Sequence, residues 1–391
     1  MTWVWDEAGH KIPVRAVWFN YNTVKKRLRY KGKFTYRDTY SSQVEVIRCH
    51  VSEAYNVNFL GRLWAYFSFV FSSIYAGLFK TNGKYDVILV SSPPLFVGIT
   101  AYVLSLIKGI PFVFEVRDLW PESAIDTGVL RNRFIIRLAY WFESFIYRRA
   151  KLINVLTPAF RDKLIQEKGV PANKVIFIPN AADFSLSDQL LRNFDSATFR
   201  KEQSLDGRTV ITYVGAHGVA NHLIQVVETA ELLQEEQPEV LFLLIGSGMQ
   251  KKMLKQEAQK RGLNNIRFID SVPKSEVFKY ILASDFGASI LKKVDTFKTI
   301  YSNKTFDYMA CKKPVMMVID GVSRQLVEEA GCGTYIEPEN PKDFAQKIKH
   351  YIKSDQTIWV KEGESGYQYA KAHFDREVLA KKYLTQLGNV N

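Results

Sequence analysis

Between residues 209 and 248 the chain twice runs an apolar strand into a glycine turn and then a helix. Thr209–Val214 ends in Gly215-Ala-His-Gly218, and 241–245 ends in Gly246-Ser-Gly248. A third unit, 302–333, reads SNKTFDYMACKKPVMMVIDGVSRQLVEEAGCG. Ser302 and Asn303 are helix N-cap residues. Lys312, Lys313 and Pro314 end that helix, and 315–319 reads as a buried parallel strand. Strand ends and helix starts of this kind form the ligand crevice of a doubly wound α/β sheet. Ile266–Ile269 and Phe286–Ile290 complete the same sheet.

A strand, a glycine turn and a helix together make a phosphate site of backbone N–H groups. Each such turn is common alone; two on one sheet are better evidence. Lys304 adds to them. It falls in the first turn of its helix, the wrong end for a cation in the helix dipole. A lysine set there to hold a phosphate has a reason for its place. Asp307 follows four residues after Asn303, so both can face one side of the helix. His217 either contacts a phosphate or caps the turn.

Earlier in the chain, 85–91 reads as a strand, 96–107 as a helix and 111–116 as a strand. Arg117, Asp118 and Glu122 stand at the carboxyl end of the last, where ligands sit in a parallel sheet. Glu115 is a polar group within it. A structural Arg117–Asp118 or Arg117–Glu122 pair is the plainer reading. The segment 63–79 carries no charge and is rich in aromatic residues. It reads as a buried helix or an interfacial one, being short of the roughly 20 residues of a membrane span. The stretch 131–151 is basic and amphipathic. It shows either a core stripe with a solvated back or a second membrane-surface element. The stretch 21–37 holds Lys25, Lys26, Arg27, Arg29, Lys31, Lys33 and Arg37 without an acid. It is a solvated loop or a patch for anionic head groups or a pyrophosphate-linked acceptor.

A net charge of +13 over 391 residues points to anionic partners. Nucleic acid is disfavoured, since no recognisable motif for it is present. Cys49, Cys311 and Cys332 have no metal-ligand spacing and suit a reducing compartment. Asp6 and Glu7 precede any apolar run, so no secretory signal is expected. The expected place is cytoplasmic, peripheral on the inner face of the membrane.

Three segments carry a family resemblance. The stretch 302–315 is similar to the PSK-x-x-E-Y-M-A-x-x-x-P-V signature of family 4 retaining nucleotide-sugar glycosyltransferases. FEVRDLWPESAIDTG (114–128) is similar to a signature of the subgroup that builds bacterial O-antigen, capsule and exopolysaccharide, among them proteins assigned as L-fucosamine transferases. IPNAAD (178–183) resembles the IPNGVD motif at the end of the first domain. The resemblance implies a GT-B fold: two Rossmann-like doubly wound domains facing a central cleft. The expected divisions are an acceptor-side domain 1–184, a linker 185–207, a nucleotide-sugar domain 208–372, and a last helix, 373–391, crossing back to the first. Residues 1–10 read as the end of a helix and 11–19 as a strand. Family members place a strand and a glycine loop before that helix, so the first strand is expected to be missing.

The resemblance also implies roles. Lys304, with Asp118 and Glu115, carries the catalytic expectation. The donor is expected at Gly215, His217, Gly218, Gly246, Ser302, Asn303, Lys304 and Asp307, and the acceptor at Arg117, Glu122 and Asn180. Asp307 takes the place of the second acid of an E-x7-E motif that holds the nucleotide ribose. The first acid falls at Thr299, so the motif is incomplete. The second-domain Arg and Lys of many members are absent; Ala216 and Asn221 or His222 stand near them. No Asp-x-Asp pair occurs, so no obligatory metal or other cofactor is expected. The donor is a nucleotide-sugar, UDP-sugar favoured, and the acceptor an undecaprenyl-pyrophosphate-linked sugar at an anionic membrane surface. A nucleotide-sugar 2-epimerase of the same fold, or an inactive truncated homologue serving as an assembly partner, are the alternatives.

Overall fold

The computed structural model describes residues 14–15, 32–39, 45–56, 59–126 and 128–390. The expected N-terminal helix, most of the strand 11–19 and most of the basic stretch 21–37 lie outside the described residues. The chain divides into two compact units, Met1–Ile178 with Glu377–Asn391, and Pro179–Arg376.

In the first unit β1 (Val14–Arg15), β2 (Thr35–Thr39) and β3 (Glu45–Cys49) form a small sheet in the order β1-β3-β2, with β1 parallel and β2 antiparallel to β3. The larger sheet is parallel, in the order β4 (Ile88–Ser92), β5 (Phe112–Val116), β6 (Leu152–Val155), β7 (Val175–Phe177). β5, FVFEV, is buried along its whole length, as a strand covered on both faces must be. The crossovers are helical: α1 (Phe59–Phe79) precedes β4, α2 (Val97–Lys108) follows it, and α3 (Arg133–Arg149) follows β5. Two of these ends are set by local chemistry. α2 stops at Gly109, whose left-handed backbone (φ 66°) lets its N–H reach the Ser105 carbonyl. α3 starts where the Asn132 side chain accepts from the N–H groups of Phe134 and Ile135.

One face of α1 is core, with Ala65, Phe69, Val70 and Ala76 buried. Its inward serines satisfy themselves within the helix; Ser72 Oγ also donates to the His50 carbonyl, 2.8 Å away. Among the described residues, no helix is long and apolar enough to cross a membrane.

The second unit opens with α4 (Phe184–Asn193) and α5 (Ser196–Glu202). The stretch 185–207, expected as the linker, is mostly helical. Phe184, Leu186, Leu190 and Phe194 pack onto the unit's core, a stripe too short to show as a period. Arg200 fixes the following turn by donating to the carbonyls of Ala283, Leu205 and Arg208. Then come β8 (Thr209–Val214), β9 (Val240–Ile245), β10 (Ile266–Ile269), β11 (Phe286–Ile290), β12 (Val315–Val318) and β13 (Gly333–Tyr335). All pair in parallel, in the order β10-β9-β8-β11-β12-β13.

The helices of this unit are α6 (Ile224–Leu233), α7 (Lys251–Lys260), α8 (Lys274–Leu282), α9 (Asn303–Ala310), α10 (Val322–Ala330), α11 (Pro341–Lys353) and α12 (Gln356–His373); α13 (Arg376–Gly388) ends the chain. α6 and α11 close one face of the sheet through Val226, Leu233, Phe344 and Ile348. α8, α9 and α10 close the other through Phe278, Phe306 and Leu326. Strand order reverses direction between β8 and β11. That switch point opens a crevice at the strands' carboxyl ends.

Candidate active site

Two glycine loops and one helix start border this crevice. The loop after β8 and the loop after β9 are bonded backbone to backbone. Gly215 N–H donates to the Ile245 carbonyl, His217 N–H to the Ser247 carbonyl, and Gln250 N–H to the His217 carbonyl. There is no room for side chains between them. A Cβ on Gly246 (φ 146°) would lie 1.9 Å from the Gly215 oxygen, and one on Gly248 would lie 2.4 Å from the His217 oxygen. The glycines therefore serve loop-on-loop contact as well as any ligand.

α9 starts at the opposite wall. Ser302, buried, precedes it, and the Ser289 and Thr305 hydroxyls, 2.7 Å apart, fasten the helix to β11. Tyr308 fastens it to both strands of the switch point. Its hydroxyl accepts from Val214 N–H and donates to the Ala288 carbonyl, and its ring fills the space above Gly287. Lys304 then projects at the Gly215 loop: a Cβ on Gly215 would lie 3.2 Å from Lys304 Cε. The Lys304 amine donates to Ser302 Oγ at 3.3 Å and sits 4.9 Å from the Tyr213 ring centre. It has no carboxylate within ion-pair distance among the described residues. Burial pulls its pKa down to about 8, with Asp307 opposing. Tyr213 in turn donates to the Ala216 carbonyl at 2.9 Å, so one side chain carries both the loop and the lysine.

The other expected donor residues fall into two groups. Gly215, Gly218, Gly246, Ser302, Asn303 and Lys304 lie on the loops and helix start just described. His217 points elsewhere: it is fully buried, near Tyr213 and Phe268, and neither ring nitrogen has a hydrogen-bond partner among the described residues. Asp307 faces Lys274, 3.3 Å away, and Lys274 lies 3.7 Å from Asp183. Burial raises the Asp307 pKa and Lys274 lowers it, with a net rise. Asn180, expected on the acceptor side, belongs to the second unit and donates to Asn303 Oδ1 at 2.7 Å.

His217 gives a pH prediction. Burial first, then Lys251 and Lys255, hold its pKa down at about 4. An unfolded histidine titrates near 6.5. Between those values the unfolded chain binds a proton that the folded chain refuses, so stability falls as pH drops from 6.5 toward 4. The loss attributable to His217 is about 2 kcal/mol by pH 5. His217→Leu removes it. Denaturant midpoints of both proteins at pH 7 and pH 5 are expected to converge on the variant's side; an equal acid loss in both would show that His217 does not titrate this way.

In the first unit Glu115 is buried and fully engaged. Ser91 Oγ donates to Oε1 (2.9 Å), Asn154 Nδ2 to Oε2 (3.2 Å), and the Arg117 guanidinium lies 3.5 Å away. The Tyr383 hydroxyl on α13 bonds it too; burial, then the Glu115 charge, push that phenol's pKa up. Asn154 also bonds both backbone groups of Ile178. Glu115 thus joins β4, β5, β6 and the last helix of its unit. Asp118 is half-buried, accepts from Ser123 Oγ at 2.8 Å, and has its pKa raised by burial. Arg117 is exposed, and its guanidinium lies 3.5 Å from Glu115. Glu122 pairs with Lys168 at 2.7 Å, which also binds Glu143. Burial raises the Glu143 pKa to about 7, against Lys168.

Tyr213, Tyr308, Lys274 and Asn154 were not legible as site residues. The first two lie on a strand and a helix read as packing, and only the fold brings Lys274 to Asp307. Among the described residues no cluster of three His, Cys, Asp or Glu side chains is placed to hold a metal ion.

A parallel sheet of the order 3-2-1-4-5-6 with glycine loops at its switch point has the topology of a Rossmann unit. Two family matches give that unit its class. Residues 5–181 match the glycosyl transferase 4-like domain and 195–371 match the glycosyl transferases group 1 domain, so the chain belongs to the GT-B glycosyltransferases that join these two. More particularly, it is similar to bacterial glycosyltransferases. It is 23% identical to WcaI of Escherichia coli K12, named as a colanic acid biosynthesis glycosyl transferase, over 88% of this chain and 83% of that one. It is 25% identical to the glycosyltransferase WbjE of Pseudomonas aeruginosa over 69% and 67%. Among solved folds, Anabaena HepE in complex with UDP superposes with a TM-score of 0.67 at 18% identity, covering 88% of this chain and 86% of that one.

Proposed function

We propose that this transferase moves a sugar from a nucleoside diphosphate sugar, a UDP-sugar by preference, to a lipid-linked oligosaccharide, with retention at the anomeric carbon. The observation that carries the reading is Lys304: a half-buried cation with no carboxylate at ion-pair distance among the described residues, at a helix start, beside a glycine loop. Such a site is complementary to a departing diphosphate, whose negative charge grows as the glycosidic bond to the leaving group breaks. The HepE complex with UDP supports the choice of nucleotide. The diphosphate takes the acceptor's proton, so no protein nucleophile is named. Asp118, with its raised pKa, is suited to orient a sugar or acceptor hydroxyl. Glu115 holds the strand on which Asp118's neighbour Arg117 is mounted. The lipid anchor proposed is undecaprenyl pyrophosphate, which places the reaction on the cytoplasmic face of the membrane. The epimerase alternative gains nothing from the two family matches, both of which are transferase domains.

The test is thermal unfolding with UDP, GDP and their sugar conjugates. A ligand at about 100 times its dissociation constant adds about 2.7 kcal/mol. A shift with UDP and UDP-sugars, smaller with GDP, is the expected result. A preference for GDP would overturn the UDP assignment, and no shift with any nucleotide would overturn the donor site.

A further inference from the structure

The crossover helices of the first unit leave an apolar, arginine-rich layer uncovered. On α3, Phe134, Leu138 and Trp141 recur at i, i+4 and i+7 on the side turned from the core, and they are 75%, 51% and 57% exposed. Ala139, Glu143, Ile146 and Tyr147 occupy the opposite, buried side. Arg133, Arg137, Arg148 and Arg149 are exposed on the same helix. The layer continues sideways. Tyr102 of α2 meets Phe145 of α3 edge to face, and Phe96 stacks between Tyr66 of α1 and Phe142 of α3. α1 adds exposed Trp64 and Phe71, and α2 adds exposed Leu106.

The exposed charges that these three helices themselves carry have one sign. α1 and α2 contain no Asp or Glu. The only acid of α3, Glu143, is buried and bound to Lys168. Large apolar side chains flanked by arginines, with Asp126 and Glu167 reaching only the Tyr140 edge from neighbouring segments, fit a surface that is apolar within and anionic at its rim. A bilayer of anionic lipids has that structure; aromatic rings take the interface and guanidinium groups take the phosphates. A second copy of the chain would bring the same arginines face to face, which opposes twofold pairing.

We infer that the α1–α2–α3 layer docks on an anionic lipid bilayer, with α3 lying in the head-group region and its Phe134–Leu138–Trp141 stripe below the phosphates. The docking does not rest on the donor-site reading, because it needs neither nucleotide nor turnover.

Co-sedimentation of the full chain tests it, with vesicles of phosphatidylethanolamine containing about one quarter phosphatidylglycerol, and with phosphatidylcholine vesicles as the neutral control. Binding to the anionic vesicles that weakens with salt is expected, with little binding to the neutral ones. Phe134→Ser/Leu138→Ser/Trp141→Ser should lose at least about tenfold in partitioning. Arg133→Gln/Arg137→Gln should lose about fivefold per arginine, with unfolding temperature unchanged. Equal binding by the parent and both variants, or no binding to either vesicle, would overturn the inference. So would a doubled mass of the free parent that returns to single in the triple variant, which would make the layer an interface between copies.

Discussion

Lys304→Ala is expected to lower turnover about 10²–10³-fold while leaving the chain as stable as the parent or more so. Both halves follow from one geometry. The amine is drawn out of water, and no carboxylate among the described residues pairs with it; its pKa of about 8 records the cost. A side chain that destabilises its own fold is retained when a ligand completes it. A bound diphosphate would supply the missing charge and, by linkage, raise the lysine's pKa again. Steady-state kinetics with a UDP-sugar, beside denaturant unfolding, check the two halves together. A dead variant with lowered stability would instead mark Lys304 as a strut for the Tyr213–Gly215 corner. The pH dependence follows in sign: without ligand the amine loses its charge as pH rises through about 8, so donor affinity should weaken above that pH. Lys304→Arg should keep its affinity there.

Glu115→Ala should cost about 2–4 kcal/mol of stability in the first unit, because it strips acceptors from buried donors. Asn154 and Ser91 each lose a partner at 3.2 and 2.9 Å, and the Arg117 guanidinium loses its counter-charge. Tyr383 loses the group that its hydroxyl meets. Glu115→Gln keeps the shape and one acceptor oxygen and should cost less. Chemical denaturation of both variants gives the ranking. An alanine variant as stable as the parent yet inactive would return Glu115 to the substrate.

Sequence pattern carried the frame further than the site. The strands of both parallel sheets are short runs of apolar residues, so burial on two faces shows directly as composition. The glycines after β8 and β9 and the N-cap residues Ser302 and Asn303 are likewise local, each read from a turn or a helix start within a few residues. The helices within 185–207 were not legible for the opposite reason: they are held by contacts such as Arg200 with Ala283, far away in the chain. The same separation hid Lys274, which meets Asp307 and Asp183 only once α8 and α9 are packed. His217 misled because a polar residue after a glycine suggests a ligand contact, while the fold turns the ring inward, beneath the loop. Glu115 was recognisable as an unusual charge in an apolar strand, but not as the meeting point of three strands and a helix.

The membership of Glu377–Asn391 in the first unit has a consequence for how the protein is made. The first unit's polypeptide leaves the ribosome early, yet its last helix, with Leu379, Ala380, Tyr383 and Leu387 buried, emerges only after the whole of the second unit. Until then Glu115 lacks one of its partners and the helix's berth stands open to water. Domains synthesised first ordinarily finish folding first. Here the leading unit must wait for the trailing one, so a nascent chain released just before Glu377 would carry a second unit with its own sequence whole and a first unit left ajar.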